Sequence, residues 1–432
     1  MRLGFVVTRI SHIKHWATLV EEALARGLDV TLFLDHTGSR SRPGGLKGYQ
    51  FPVEAAVPSF RHGRPRVMPF ATLDALFDAL RARQVDALFG ARPILPELTA
   101  AFPAGRRPLV AQVQTTWDSL MLHVRPDRLA ELDVFYGFSP AWVEWWADYQ
   151  AHWGRIPAAE RDRWRDRLRA RFVPVGFAEA EQFKYVDPAA VRARLRLPAA
   201  PIVLYLPFPF QTVWREFWPH FVHRHRQPLQ ALAILLSGRW RWLPYAVRGW
   251  NDPTLVRRLR EFCDRSGAAL VVKGRLKNRV PGHLARRASR TLYDEACYPA
   301  TIVELLSVAS LCVHYYSFGL VEAAYGSVPS LCISPSGEEW PKMQVQKMSV
   351  EAFSGAPDTF YNFAGVVHRL SIPEAFERLP QLGLADLRLD PARRRAFLQR
   401  FFGHEDLDVA ARIFDDLERR VAHRGSVATV RA

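Results

Sequence analysis

Cysteine is scarce, four residues in 432 (Cys263, Cys297, Cys312 and Cys332). None of them forms a C-x-x-C pair, which argues against structural zinc and against a disulfide framework. No uninterrupted apolar run reaches the ~18 residues of a membrane span. The amino terminus, MRLGFVVTRISH, opens on a strand-like run without the charged, apolar and small-residue succession of a signal peptide. A reduced, cytoplasmic chain is expected, with peripheral contact at the inner face of a membrane left open. Also missing are a Walker A sequence, a G-x-G-x-x-G after the first strand, a G-x-S-x-G elbow and an H-E-x-x-H pair. A P-loop kinase, a dinucleotide dehydrogenase and a zincin are thereby disfavoured.

What is present begins with length: 432 residues at roughly 100–200 per domain imply two or three domains, each able to bury its own core. Hydrophobic residues at 49% and charged residues at 24% exclude intrinsic disorder and a low-complexity scaffold. Lys plus Arg exceed Asp plus Glu by 59 to 43, a net charge of +16. Such a field favours anionic partners, namely phosphates, nucleic acid or an acidic membrane face. An arginine-rich composition produces the same excess without any ligand, so charge alone names no partner.

Short apolar runs alternate with amphipathic stretches, the pattern of parallel sheets covered by helices on both faces. Residues 3–7, 30–34, 85–89, 109–113, 134–138 and 172–175 are the first set of expected strands. Between the first two, His15 to Arg26 carries Trp16, Leu19, Val20, Ala23 and Leu24 at helical spacing, closed by Gly27. A second set follows at 202–206, 269–272, 311–315 and 330–333. The fold class expected is α/β, two Rossmann-like parallel-sheet domains facing a cleft. Boundaries fall at 1–178 for the first domain, 179–389 for the second, and 390–432 for C-terminal helices packing across the seam.

One stretch interrupts this pattern, an aromatic and basic insertion at about 211–262. Residues 211–250 hold Trp214, Trp218, Trp240, Trp242 and Trp250, with six arginines, three histidines and a single acid, Glu216. This mixture suits a lipid headgroup region or a polyanion; a helical insertion whose tryptophans fill its own core suits it as well. His220, His223 and His225 have near-metal spacing, but arginines surround them and Glu216 is the nearest acid, so no metal site is expected.

Ligands of such folds bind beyond the carboxyl ends of the strands, which directs attention to Ser310–Pro335. There a strand (LCVHY) runs into Tyr316-Ser317-Phe318-Gly319, then a helix (LVEAAYG), then another strand. A hydroxyl and a glycine at a helix start offer unpaired N–H groups and a favourable dipole to an anion. The pattern Ser317-x-Gly319-x-x-Glu322-Ala323-x-x-Gly326-x-x-Pro329 resembles the donor-nucleotide motif of GT-B glycosyltransferases. The resemblance implies that Ser317, Phe318 and Gly319 form the diphosphate turn and that Glu322 binds the ribose. Leu305 to Ser317 is similar to a run in CDP-glycerol glycerophosphotransferases and capsule transferases, departing at His314-Tyr315 where they carry Asp. Val271-Val272-Lys273-Gly274-Arg275 stands where those families have a strand ending in Lys-x-His-Pro; Lys273 fits, the His is missing, and Arg275 is the substitute charge for the leaving diphosphate. Arg400 to Val409 resembles their C-terminal helix.

Transfer to an acceptor hydroxyl requires a base, expected in the first domain. His12, in the loop after strand one, and Asp118, in the loop Thr115–Asp118, are the candidates. The expected activity is transfer of a sugar or polyol phosphate from a nucleotide-activated donor to a saccharide or lipid-linked acceptor of a surface polysaccharide or glycolipid. The alternatives are a nucleotide-sugar epimerase of the same fold and a non-catalytic protein of an anionic membrane surface. No metal, no cofactor and no nucleic-acid partner is expected.

Overall fold

A strand that is apolar on both faces is stable only where helices cover both sides of its sheet. The computed structural model describes residues 1–37, 52–103, 106–121, 123–207, 236, 253–275, 280–293, 296–315, 317–334 and 358–431, and its strands meet that condition in two parallel sheets. The aromatic and basic window 211–250, with His220, His223 and His225, lies outside the described residues apart from Leu236. The chain divides into two compact units. Unit 1 comprises Met1–Tyr185, Ala296–Ala300 and Leu398–Ala432; unit 2 comprises Val186–Glu295 and Thr301–Phe397.

Unit 1 contains β1 (Arg2–Val7), β2 (Asp29–Asp35), β3 (Arg66–Phe70), β4 (Ala87–Phe89), β5 (Leu109–Val113), β6 (Val134–Gly137) and β7 (Phe172–Pro174). They are ordered β3-β2-β1-β4-β5-β6-β7, and every pairing is parallel. Its helices are α1 (Ile10–Ala25), α2 (Leu73–Ala82), α3 (Leu95–Ala101), α4 (Trp117–Met121), α5 (Ala141–His152) and α6 (Arg161–Arg169). Helix α1 begins five residues before the apolar pattern of His15–Arg26 places it. Ile10 and Ile13 extend the stripe of Trp16, Ala17 and Val20 back by one turn, with Ile13, Trp16, Ala17 and Val20 all buried. His12 therefore lies on the first turn of a helix, and the loop expected to hold it after strand one shrinks to Thr8 and Arg9. The expected loop Thr115–Asp118 is shortened in the same way, since α4 begins at Trp117.

Unit 2 contains α7 (Pro188–Arg194), β8 (Ile202–Tyr205), α8 (Pro253–Arg265), β9 (Ala269–Lys273), α9 (Gly282–Ala285), β10 (Arg290–Leu292), α10 (Thr301–Leu306), β11 (Leu311–His314), α11 (Gly319–Tyr325), β12 (Ser330–Ser334), β13 (Val367–Ser371) and α12 (Ile372–Arg378). Its strands are ordered β10-β9-β8-β11-β12-β13, again parallel throughout. Two helices complete the chain, α13 (Pro391–Phe402) and α14 (Val409–Arg431). Helix α14 returns to unit 1: Val409, Ala410, Ile413, Phe414 and Leu417 are fully buried in one cluster with Phe5, Leu19 and Val20.

Three strands, β3, β10 and β13, were not expected from the sequence. All three lie at sheet edges, where one side needs no partner strand and burial is incomplete. β3 (RVMPF) even accommodates Pro69, which an edge tolerates because it has one ladder fewer to complete.

Candidate functional site

In a parallel sheet whose order reverses, the loops leaving the strands diverge at the reversal and open a crevice at the carboxyl edge. In unit 2 the reversal lies between β8 and β11, and the turn from β11 to α11 carries Ser317, Phe318 and Gly319. β11 is buried along its whole length. His314, at its end, is 1% exposed, and its Nδ1 accepts the Ser317 N–H at 3.3 Å. Ser317 Oγ accepts the Gly319 N–H at 3.1 Å, and the Leu320 and Val321 amides close onto Ser317 O and Phe318 O at 3.2 and 2.9 Å. The turn is thus built from its own hydroxyl and from an imidazole where the resembling families carry Asp.

Gly319 is required by a close approach. A Cβ there would lie 2.7 Å from Leu206 Cδ1 and 3.3 Å from Ser317 Oγ. The half-buried Phe318 ring stacks on Phe360 at 5.9 Å and 24°, so its side chain packs within unit 2. All seven residues of α11 are buried, Glu322 among them at 4% exposure. Its carboxylate influences Cys312 on β11, whose thiol is pushed up by burial first and by the Glu322 charge second. At the far end of the helix, Arg394 of α13 donates from Nε to Ala324 O at 2.6 Å and from a terminal nitrogen to Tyr325 O at 3.2 Å. Ala324 O also accepts the Ser327 N–H at 3.2 Å; the guanidinium adds a donor at both carbonyls of this helix end and matches its negative dipole.

Lys273 ends β9. Register pairs Val272 with Tyr205 and Tyr205 with Val313, so Lys273, Leu206 and His314 follow at one level of the carboxyl edge. With β8 between them, Lys273 and His314 stand two strand spacings apart, about 10 Å. Gly274 is needed here because a Cβ would meet Tyr293 and Val280 side-chain atoms at 2.7 Å each. Arg275 follows, exposed. The structure therefore brings Lys273, Arg275, Ser317, Phe318, Gly319 and Glu322 to one edge of one sheet.

The two residues expected as bases belong to unit 1. His12 is half-buried, and its Nδ1 lies 3.3 Å from Thr8 Oγ1. Asp118 lies on α4, and its side chain is outside the described residues. That turn is held by Ser119 Oγ, which accepts the Thr115 and Thr116 amides at 3.1 and 3.2 Å. Sequence reasoning overlooked Lys14, His15 and Glu179, which meet in unit 1. Lys14 Nζ is 2.8 Å from Glu179 Oε2, and His15 Nδ1 is hydrogen-bonded to Glu179 Oε1. Spacing along the chain gives no hint of this pairing, because 164 residues separate His15 from Glu179.

Among the described residues no helix is long and apolar enough to cross a membrane, and no group of three or more His, Cys, Asp or Glu side chains is arranged to hold a metal ion.

No family model matches the chain, and no curated protein matches it in sequence. Solved structures match its fold. A UDP-N-acetylglucosamine 2-epimerase is 13% identical with a TM-score of 0.53, over 98% of this chain and 96% of the other. The S. aureus MnaA, solved with UDP, is 12% identical with a TM-score of 0.52, over 98% and 97%. The wall teichoic acid polymerase TagF, solved with CDPG, is 10% identical with a TM-score of 0.51, over 98% and 90%. At such identities the likeness establishes architecture. With the seven- and six-stranded parallel sheets, it makes the fold α/β of the GT-B type.

Proposed function

We propose that this chain is a nucleotide-dependent transferase, binding the diphosphate of an activated donor at the Ser317–Gly319 turn and moving a sugar or polyol phosphate to a saccharide or lipid-linked acceptor. One observation carries this reading: the turn and Glu322 stand at the order reversal of the unit 2 sheet, with Lys273 at the same level two strands away. Amides at a helix start and nearby cations are what a leaving diphosphate needs. In this reading Ser317 and Gly319 contact the phosphates, Phe318 shapes the turn, Glu322 binds ribose hydroxyls, and Lys273 and Arg275 stabilise the departing charge. The acceptor and its base are assigned to unit 1.

Calorimetric titration with UDP, CDP, GDP, ADP and CMP tests the donor site; UDP and CDP come first, since similar folds have been solved with UDP and with CDPG. Glu322→Ala should weaken the nucleotide that binds by about 1–3 kcal/mol, the cost of leaving buried hydroxyl partners unsatisfied. Unchanged affinity removes Glu322 from the site. Conversion of the donor without any acceptor would make the protein an epimerase. Tight binding to anionic liposomes with no nucleotide affinity would make it a membrane-surface protein that kept the fold alone.

A further inference from the structure

Residues 265–293 carry eight Lys and Arg side chains and no Asp or Glu, although acids number 43 in the whole chain. In unit 2 this stretch runs from the end of α8 through β9 and α9 to β10, the edge strand of the sheet. Its last turn is tied to β9. Ser289 donates its N–H to Leu270 O at 2.8 Å, Arg290 pairs with Val271, and the Arg287 and Ala288 amides both close onto Leu284 O at 3.0 Å. Leu284 is fully buried. Arg286, Arg287 and Arg290 are thereby gathered at the corner where α9 gives way to the start of β10.

The surroundings leave this corner positive. The acids of α8, Glu261 and Asp264, are taken by that helix's own arginines: Glu261 Oε2 lies 2.7 Å from Arg258, and Asp264 lies 2.6 Å from Arg260. Arg260 also donates to Arg287 O at 3.3 Å, which sets α8 against the corner. Arg287 donates to His283 O at 3.2 Å, and a Cβ on Gly282 would lie 3.3 Å from Arg286 Nη1, so both side chains lie along α9. Arg286 and Arg290 are exposed and Arg287 is half-buried. Among the described residues none of the three meets a carboxylate.

A guanidinium presents parallel N–H groups that fit the oxygens of a phosphate or a carboxylate. Three of them within five residues suit a ligand that repeats its oxyanion. A membrane surface is held in part by apolar side chains, and a nucleic-acid strand by aromatic rings. The exposed large apolar side chains among the described residues are Val53, Trp153 and Leu236, none of them in this stretch. We infer that this corner of unit 2 binds a linear polyanion without bases, the anionic repeat of a surface polymer, through Arg286, Arg287 and Arg290. The inference goes beyond the donor reading and does not depend on it: Arg290 opens β10, two residues before the level of Lys273 and three strands from β11.

Fluorescence titration of the full-length protein with labelled long-chain polyphosphate and labelled polygalacturonate tests this, and the tighter of the two names the oxyanion. R286Q/R287Q/R290Q should bind that polymer roughly tenfold more weakly at low salt, and the slope of log affinity against log salt should fall by about two. Its calorimetric nucleotide affinity should stay within about twofold of the parent's; a matching fall would place the corner in the donor site and overturn the inference. R125Q/R163Q/R419Q removes the same charge from unit 1 side chains that are 61%, 62% and 77% exposed. An equal loss of polymer binding in that variant assigns the effect to net charge and overturns the inference. So does tighter binding of a DNA oligonucleotide, or of vesicles containing phosphatidylglycerol, that R286Q/R287Q/R290Q abolishes. If the triple variant does not fold, R286Q/R290Q, which keeps the Arg287 bond to His283 O, decides in its place. A parent protein that binds no nucleotide overturns the donor reading alone, and one that binds neither polymer overturns this inference alone.

Discussion

The side chains that shape the donor turn act through contact distances and single hydrogen bonds. Gly319 is pressed against Leu206, and a methyl group there would need to displace Leu206 Cδ1 from 2.7 Å. Gly319→Ala should cost about 1–3 kcal/mol of stability through overpacking and weaken nucleotide binding. Leu206→Ala in the same protein should recover most of both, as read by thermal unfolding and calorimetry. His314 shows why a departure from a family pattern need not break a site: an imidazole Nδ1 receives the Ser317 amide as a carboxylate oxygen would. Glu179 makes a pH prediction. Its pKa is lowered from the usual 4.5 to about 2, so its contribution to stability is complete above about pH 4.5 and is lost as pH falls toward about 2. By linkage stability falls over that range, and Glu179→Gln should flatten that limb of a denaturation series between pH 2 and 5. An equally steep limb in the variant would show that other carboxylates govern it.

Among the elements, α11 has the most work to do for its length. Seven residues make a marginal helix in water, so α11 depends on burial and on end groups supplied by other elements. Arg394 satisfies the Ala324 and Tyr325 carbonyls. Arg394→Ala should destabilise the protein by about 1 kcal/mol, the cost of the hydrogen bond lost at Tyr325 O and of the second one at Ala324 O, which keeps the Ser327 N–H. It should also raise the Kd for nucleotide, because the helix start is no longer fixed; a nucleotide Kd equal to the parent's would show that the helix start holds without this cap. The edge strands mark the limit of reading elements from sequence. Central strands such as β1 (RLGFVV) and β5 (LVAQV) are buried on both faces and stand out as apolar runs. β10 (RTL) and β13 (VHRLS) are half-covered, and their polar residues hide them.

For the whole molecule, the C-terminal helix is as much part of unit 1 as β1 is. Val409, Ala410, Ile413, Phe414 and Leu417 are fully buried in its core; at roughly 1.5–3 kcal/mol per large side chain, their burial is comparable to the whole stability of a typical domain. A chain ending at Phe402 should therefore lose the unfolding transition of unit 1, and limited proteolysis should cut first within residues 1–185. Survival of that region would show that α14 is an accessory. A nucleotide at about 100 times its Kd should raise the stability of the state that binds it by roughly 2.7 kcal/mol, with hydrogen-exchange protection centred on β11 and α11.

The sequence by itself determined the α/β class, most central strands, and the donor turn with Glu322. These rest on local rules: apolar runs for strands buried on both faces, helical spacing, and a Ser/Gly turn at a helix start. The resemblance at Ser317–Pro329 pointed to the GT-B fold that the sheets then established. Only the tertiary structure decided that Glu179 meets His15 and Lys14, that Leu206 demands a glycine at 319, that Arg394 caps α11, and that α14 completes unit 1. Each of these joins residues far apart in the chain, across distances that no local pattern encodes, and each depends on the order in which the strands assemble.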